Sequence, residues 1–377
     1  MLAPAKGETT IRAAWSPGEI RVAAMEGEVL VDYALWRPGS PDGIGDVYRA
    51  RVTGIVPTMA GAFVALPGES AAEGFLPDSE GAKGLTEGTI LAVRITRAAQ
   101  GGKGPRLSAR VECRAEDGPV GLMRRGLDPL RELAARYPKA AVIVDDPALA
   151  ASLRADLGDR LSRVDQAFDD AIETAVAALG SPDVVLASGV RLSVYPTPAL
   201  VAIDVDGGGA LTGAGAATRR HLALNAAVLP ELARQIRLRN LSGAILIDFA
   251  GLRARQRTAL GAAFAASLAD DPMRPRFLGF TALGLAEVAR PRAKAPLHEA
   301  LSGPLAAGLA ALRVIARGLR TEPGRRPLLR AAPAVVSALE ADTVALADLA
   351  RIAGQGLKLV SDPSLPGVAW HVEAVHG

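Results

Sequence analysis

The stretches LVAIDVDGGG (200–209) and AILIDF (244–249) decide how this chain folds. Each is a short apolar run that ends in carboxylate. The residues between them read as a glycine turn followed by an arginine-rich helix. That order predicts a strand–helix–strand unit, with parallel strands joined by a right-handed crossover. Both carboxyl ends then fall on one edge of the sheet, where α/β folds place their chemistry. Asp204 and Asp206 stand two apart on one strand, so they point to the same face. Neighbouring strands lie about 4.8 Å apart. Asp204, Asp206 and Asp248 can therefore share one hard cation such as Mg²⁺. The plainer reading is that acidic residues close strands in solvated loops. The pattern alone leaves both readings open.

Working outward, the 377 residues allow two or three domains. Hydrophobic residues make up 49% and aromatics only 4%, so the core is aliphatic and each buried ring needs a reason. The net charge is +3, but its distribution is uneven. Residues 211–300 hold thirteen Arg or Lys against six Asp or Glu. A polyanion is drawn to such a window, and arginine-rich composition with solvated faces explains it equally well. Cys113 is the only cysteine, which excludes a disulfide framework and an intrachain thiolate zinc site. MLAPAKGETT lacks an apolar signal core. The apolar stretch 301–320 carries Arg313, Arg317 and Arg320, so no membrane span is expected and the expected location is cytoplasmic.

Residues 11–33 alternate as strands around Ser16-Pro17-Gly18, a hairpin signal, and 38–45 is a Gly/Pro/Asp linker. Residues 46–111 read as five short strands with glycine turns, a small OB-type barrel carrying Arg49, Arg51, Arg94, Arg97, Lys103, Arg106 and Arg110. Phe63 and Phe75 lie in it, either as platforms for nucleic-acid bases or as barrel core; burial statistics favour core. Beyond the barrel, helices are predicted over 127–137, 147–157, 165–179 and 218–239, the last kinked or divided at Pro230. An amphipathic helix follows over 255–269, then a strand over 277–281 and a short helix over 284–289. The remainder reads as helices at 305–319 and 333–339, a strand-like 343–346, and strands at 357–360 and 369–374.

Taken together, these residues resemble the ribonuclease E/G family over nearly the whole chain. The stretch GDVYRARVTGIVPTMAGAFVALPG with EGFLP is similar to the opening strands of the family's S1-like barrel. The block ARQIRLRNLSGAILIDF is the most specific match, with Asn225 on the helix before it, and TALGLAEVARPR resembles the motif that closes the catalytic subdomain. The fold implied is α/β with an inserted all-β OB (S1-like) barrel. An RNase H-like subdomain (1–44 and 112–187) surrounds the barrel (45–111), a DNase I-like catalytic subdomain follows (188–300), and a small C-terminal α/β domain ends the chain (301–377). The resemblance places RNA-stacking rings on Phe63 and Phe75, which reverses the core preference, and an RNA-binding lysine on Lys103. It places metal ligands on Asp204 and Asp248, with Asp206 as third ligand or water orienter, and weaker phosphate contacts on Arg290 and Arg292. His221 and His298 receive no role.

The activity implied is a Mg²⁺-dependent endoribonuclease on single-stranded RNA, with Mn²⁺ as substitute, leaving a 5′ phosphate and a 3′ hydroxyl. Several positions depart from the family pattern. Asp206 replaces an asparagine, Pro198 a glutamate, Gly251 an aspartate and Ala282 an arginine. The zinc-link cysteines are absent: APLHEALSG stands in their place, so no zinc is expected and a homodimer would form without that link. The segment 111–121 passes almost directly out of the barrel, which implies loss of the subdomain that senses a 5′ monophosphate. The second reading is an RNA-binding protein on the same scaffold with weak or absent catalysis.

Overall fold

The computed structural model describes residues 8–68, 73–100, 102–112, 118–208, 217–322, 324 and 326–374; residues 113–117 of the segment 111–121, Cys113 among them, lie outside the described residues. The chain divides into two compact units: residues 40–132 with 292–295, and residues 1–39, 133–291 and 296–377.

In the smaller unit, Val47–Val56 pairs on one side with Gly61–Ala65 and on the other with Ile90–Arg97. Glu73–Pro77 and Arg106–Ser108 complete the ring, giving a closed five-stranded barrel that fits an OB-like architecture. A register shift between Val52 and Gly54 supplies the bulge that lets the long strand serve both neighbours. Val52, Ala62, Val64, Leu76, Val93 and Leu107 fill the interior. Gly121–Arg124 adds a further strand beside Val47–Val56.

The larger unit contains three sheets. The first orders Leu161–Arg163, Ala141–Val144, Thr9–Ser16, Glu19–Glu26 and Val29–Trp36, and the hairpin expected at Ser16–Gly18 is its central turn. The third joins Lys358–Ser361, Pro327–Ala331 and Trp370–Ala374 beneath the helices Pro304–Thr321, Pro333–Ala341 and Thr343–Ala353. The second sheet holds the two aspartate strands. Its order is Asp183–Val185, Arg191–Pro196, Val201–Asp206, Gly243–Asp248, Ala286–Arg290 and Arg276–Phe280. Val201–Asp206 and Gly243–Asp248 are parallel, as the crossover argument requires.

The crossover is one helix, Ala217–Leu238, and Pro230 does not divide it. Its apolar face, Val228, Leu229, Leu232, Ala233 and Ile236, packs on Ile203, Ile245 and Ile247 in the largest core cluster. Each such aliphatic side chain contributes on the order of 1.5–3 kcal/mol when fully buried. That sum outweighs the single backbone bond which proline removes, and the ring itself faces solvent.

Two expected elements are corrected. Residues 284–289 are not a helix: Ala286–Arg290 is a strand with alternating burial, held between two antiparallel neighbours. Residues 343–346 are not strand-like: they open the helix Thr343–Ala353, which Asp342 caps by accepting from the Ala345 amide. No helix among the described residues is long and apolar enough to cross a membrane.

Candidate active site

Asp204 and Asp248 are direct register partners across the parallel pair, at the carboxyl end of both strands. The odd residues Val201, Ile203 and Val205 face the crossover helix and are buried. Period two therefore turns Asp204 and Asp206 to the opposite, open face. The same alternation buries Ile245 and Ile247 and exposes Asp248. Glu287, opposite Leu246 on the next strand, shares this face.

The three carboxylates sit in different company. Asp206 pairs with Arg191, its cross-strand neighbour, at 2.9 Å and accepts from the Gly208 amide at 3.0 Å. The Gly208 amide and the Arg191 guanidinium hold its carboxyl below the usual aspartate range. Asp248 pairs with Arg257 at 2.7 Å. Asp204 has no arginine of its own. Burial, Asp248 and Asp206 all push its carboxyl up. Arg191 and the Val205 amide offset this only in part, so negative charge is concentrated at Asp204. The expected sharing of one cation by all three is not assembled: among the described residues no group of three or more acidic, His or Cys side chains is arranged around a common point. Asp206 is turned instead to Arg191.

Around Asp248 the sequence conceals a scaffold. Arg257 comes from the short helix Ala254–Arg257 and also donates to the carbonyls of Leu252 and Gly284, both at 2.8 Å. Asn225, fully buried on the crossover helix, donates to the carbonyls of His221 and Ala250 and accepts from the Ala250 amide. The His221 ring bonds the Gly251 carbonyl at 2.7 Å through Nδ1. Gly251 has φ +62, and a Cβ there would lie 2.5 Å from that ring. A histidine without an assigned role therefore packs where a side chain at 251 would begin. Arg191, Arg257 and His221 escape sequence reading because their partners are 15, 9 and 30 residues away and no local spacing marks them.

Most arginines of ARQIRLRN face inward. Arg234 donates to the Leu30 carbonyl and pairs with Glu231, Arg237 donates to the Val31 carbonyl, and buried Arg239 bonds the carbonyls of Leu179 and Ser181. Arg290 is corrected likewise. It is buried against Asp271 at 2.8 Å, donates to Asn240 and the Leu241 carbonyl, and so does not present its guanidinium to a phosphate. Arg292 is exposed. Arg253 and Arg255, beside the Asp248 loop, are also exposed.

On the barrel, Phe63 and Phe75 are register partners with ring centroids 5.8 Å apart in an edge-to-face arrangement. They alternate with the core residues Ala62, Val64 and Leu76, so both rings lie outside the barrel interior and are half-buried. Lys103 is exposed, in a turn closed by mutual backbone bonds with Gln100.

The ribonuclease E/G family model matches residues 148–293, the segment that holds both aspartate strands. Over that segment the chain is similar to the ribonuclease E/G family. It is 35% identical to a ribonuclease E of Nostoc sp. over 129 residues, 34% of this chain and 19% of that protein. A ribonuclease G of Haemophilus influenzae is 23% identical over 395 aligned positions, 76% of this chain and 80% of that protein. A ribonuclease E of Synechocystis sp. is 36% identical over 124 residues, which span 18% of its length. The chain thus spans about a fifth of the ribonuclease E relatives it matches.

Proposed function

We propose that this chain is an endoribonuclease that cleaves single-stranded RNA with the help of Mg²⁺. The observation that carries the reading is the carboxylate pair Asp204–Asp248, in register at the sheet's carboxyl edge with Asp204 unpartnered by cation. The donor set fits the metal. Mg²⁺ takes oxygen ligands, and one or two carboxylates plus substrate phosphate suffice. Asp204 and Asp248 would hold it, and Mn²⁺ would substitute. When bound, Mg²⁺ supplies polarisation of the phosphoryl group and lowers the pKa of a water.

The chain's own residues do the rest. Arg257 fixes the Asp248 carboxylate from one side and leaves its other oxygen for a ligand. Asn225 and His221 pin residues 250 and 251, so the end of the Asp248 strand does not swing. Asp206 with Arg191 sets the charge beside Asp204. Phe63 and Phe75 offer base-stacking faces, and Lys103 and Arg292 offer phosphate contacts. In-line attack of water leaves a 5′ phosphate and a 3′ hydroxyl. In this reading 1–44 and 112–187 form the RNase H-like part, 45–111 the S1-like barrel, 188–300 the DNase I-like catalytic part and 301–377 the C-terminal domain.

A second reading has specific support. Two of three carboxylates are already neutralised by arginine, and Gly251 and Ala282 stand where the family pattern has charge. An RNA-binding protein with weak chemistry fits those facts. One experiment separates the readings: incubation of an unstructured RNA with the purified chain, with Mg²⁺ and with chelator. Mg²⁺-dependent internal cuts that vanish in Asp248→Asn support the nuclease. Tight binding with no cuts at any Mg²⁺ concentration supports the binder.

A further inference from the structure

Within the larger unit, away from the aspartate edge, lies a cavity of about 660 Å³. That size falls in the range of small-molecule sites, roughly 300–1,000 Å³. One wall is the helix Pro304–Thr321, which turns Arg313, Arg317 and Arg320 toward it. Spacings of four and three residues put these guanidiniums on one helical face. Arg21 lines it from the strand Glu19–Glu26. Three carboxylates also line the cavity: Asp145, Asp170 and Glu173.

Two of the three carboxylates, Glu173 and Asp145, are committed. Both oxygens of Glu173 are taken by Arg21, at 2.6 and 2.8 Å. Asp145 accepts from the amides of Trp15 and Ala167. Asp170 sits in the first turn of its helix. The guanidiniums keep donors in reserve. Arg313 pairs with Glu19, yet its Nε is buried without a protein acceptor. The Nε of Arg21, on a side chain that is 93% buried by the exposure of 7%, is in the same position. Arg317 reaches Glu173 only at 3.5 Å, with 69% of its side chain exposed. The rest of the wall mixes half-buried Trp15, over whose ring Arg351 lies at 4.9 Å, and Ala14, Ala177 and Ala316 with polar Ser16, Gln166, Thr174 and Thr321.

We propose that this cavity binds a nucleoside phosphate, with the phosphate on Arg317 and Arg320 and the base against the wall around Trp15. Exposed planar guanidiniums select phosphate oxygens. The aromatic ring and alanines of the wall select an attached flat ring over a bare ion. The site stands apart from the carboxylate edge and does not depend on the nuclease reading.

The test is isothermal titration of the full chain, without Mg²⁺, using AMP, adenosine and inorganic phosphate as separate probes. The parent and Arg317→Ala/Arg320→Ala are compared, with thermal unfolding to confirm that the double variant is folded. Phe63→Ala serves as control for nucleotide held on the barrel. Saturable AMP binding is expected, about tenfold or more weaker for phosphate alone, which lacks the ring, and for adenosine alone and the double variant, which lack the charge-assisted bonds. Loss of AMP binding in Phe63→Ala would put the nucleotide on the barrel and overturn the proposal. No AMP binding at millimolar concentration overturns the proposal. So does undiminished binding in the folded double variant, or phosphate binding as tightly as AMP. RNA affinity lost in the double variant, with no AMP binding in the parent, would assign the arginine face to RNA instead.

Discussion

Replacing Asp204 by Asn should make the protein more stable and inactive at once. Asp204 faces Asp248 across one strand spacing, about 5 Å between side chains of adjacent strands. Two unit charges at ~5 Å repel by about 0.8 kcal/mol in water and by about 3 kcal/mol at an effective dielectric of 20. The side chain of Asp248 is 52% exposed and holds Arg257, so the water-like figure applies. The expected gain is about 0.5–1 kcal/mol at pH 7. Its pH dependence follows from the raised carboxyl of Asp204. The folded state binds the proton before the unfolded state does, so the parent gains stability as pH falls through that raised value. The advantage of Asp204→Asn is therefore full above the folded-state pKa and gone below the usual aspartate value. Mg²⁺ should act oppositely. At 100 times its Kd it should stabilise the parent by about 2.7 kcal/mol, and the variant much less. The assay is urea denaturation at pH 7 and pH 3, with and without Mg²⁺, beside cleavage of an unstructured RNA. A variant less stable than the parent at pH 7, equally stabilised by Mg²⁺, or cleaving at the parental rate would refute the reasoning.

Phe63→Ala and Phe75→Ala should each weaken RNA binding by about 1–3 kcal/mol, and Lys103→Ala should flatten the salt dependence by about one phosphate contact; unchanged affinity in a folded Phe63→Ala protein counts against stacking. Arg290→Ala should cost about 3–5 kcal/mol of folding stability by stranding buried Asp271, read by denaturant unfolding, whereas an intact fold with weaker RNA binding would restore Arg290 as a phosphate contact. Zinc chelation should leave the solution mass unchanged, because a thiolate zinc site needs about four ligands and the chain has one cysteine; a stoichiometric structural zinc would show otherwise. RNAs with a 5′ monophosphate, triphosphate or hydroxyl should be cut at similar rates; a preference of about tenfold, or about 1.4 kcal/mol, for the monophosphate would mean that another surface senses the end.

The aspartate strands were legible because their alternation is strict: Ile203 and Ile245 must go inward, which sends Asp204 to the open face. The barrel was legible from its turns, but burial statistics pointed Phe63 and Phe75 inward, and only the pairing that alternates them with Ala62 and Leu76 puts them outside. What was hidden depends on partners distant in sequence. AEVAR has the composition of a helix, and only the strands on either side of it make it a strand. Arg290 looked like a surface cation because nothing near it in sequence announces Asp271. The inactivity of Pro230 as a helix breaker depends on the core beneath it, which no local window contains.

The arginines carry the larger lesson about charge. Residues 211–300 look like a polyanion-binding window when their charges are summed. In the folded chain, Arg234, Arg237, Arg239, Arg257 and Arg290 spend their donors on backbone carbonyls and buried or site carboxylates. A guanidinium so held cannot also grip RNA, because its donors have fixed directions and its burial is compensated only by those acceptors. Arg219, Arg253, Arg255, Arg274, Arg276 and Arg292 stay exposed, so any pull of this window on a polyanion rests on them and not on the summed charge.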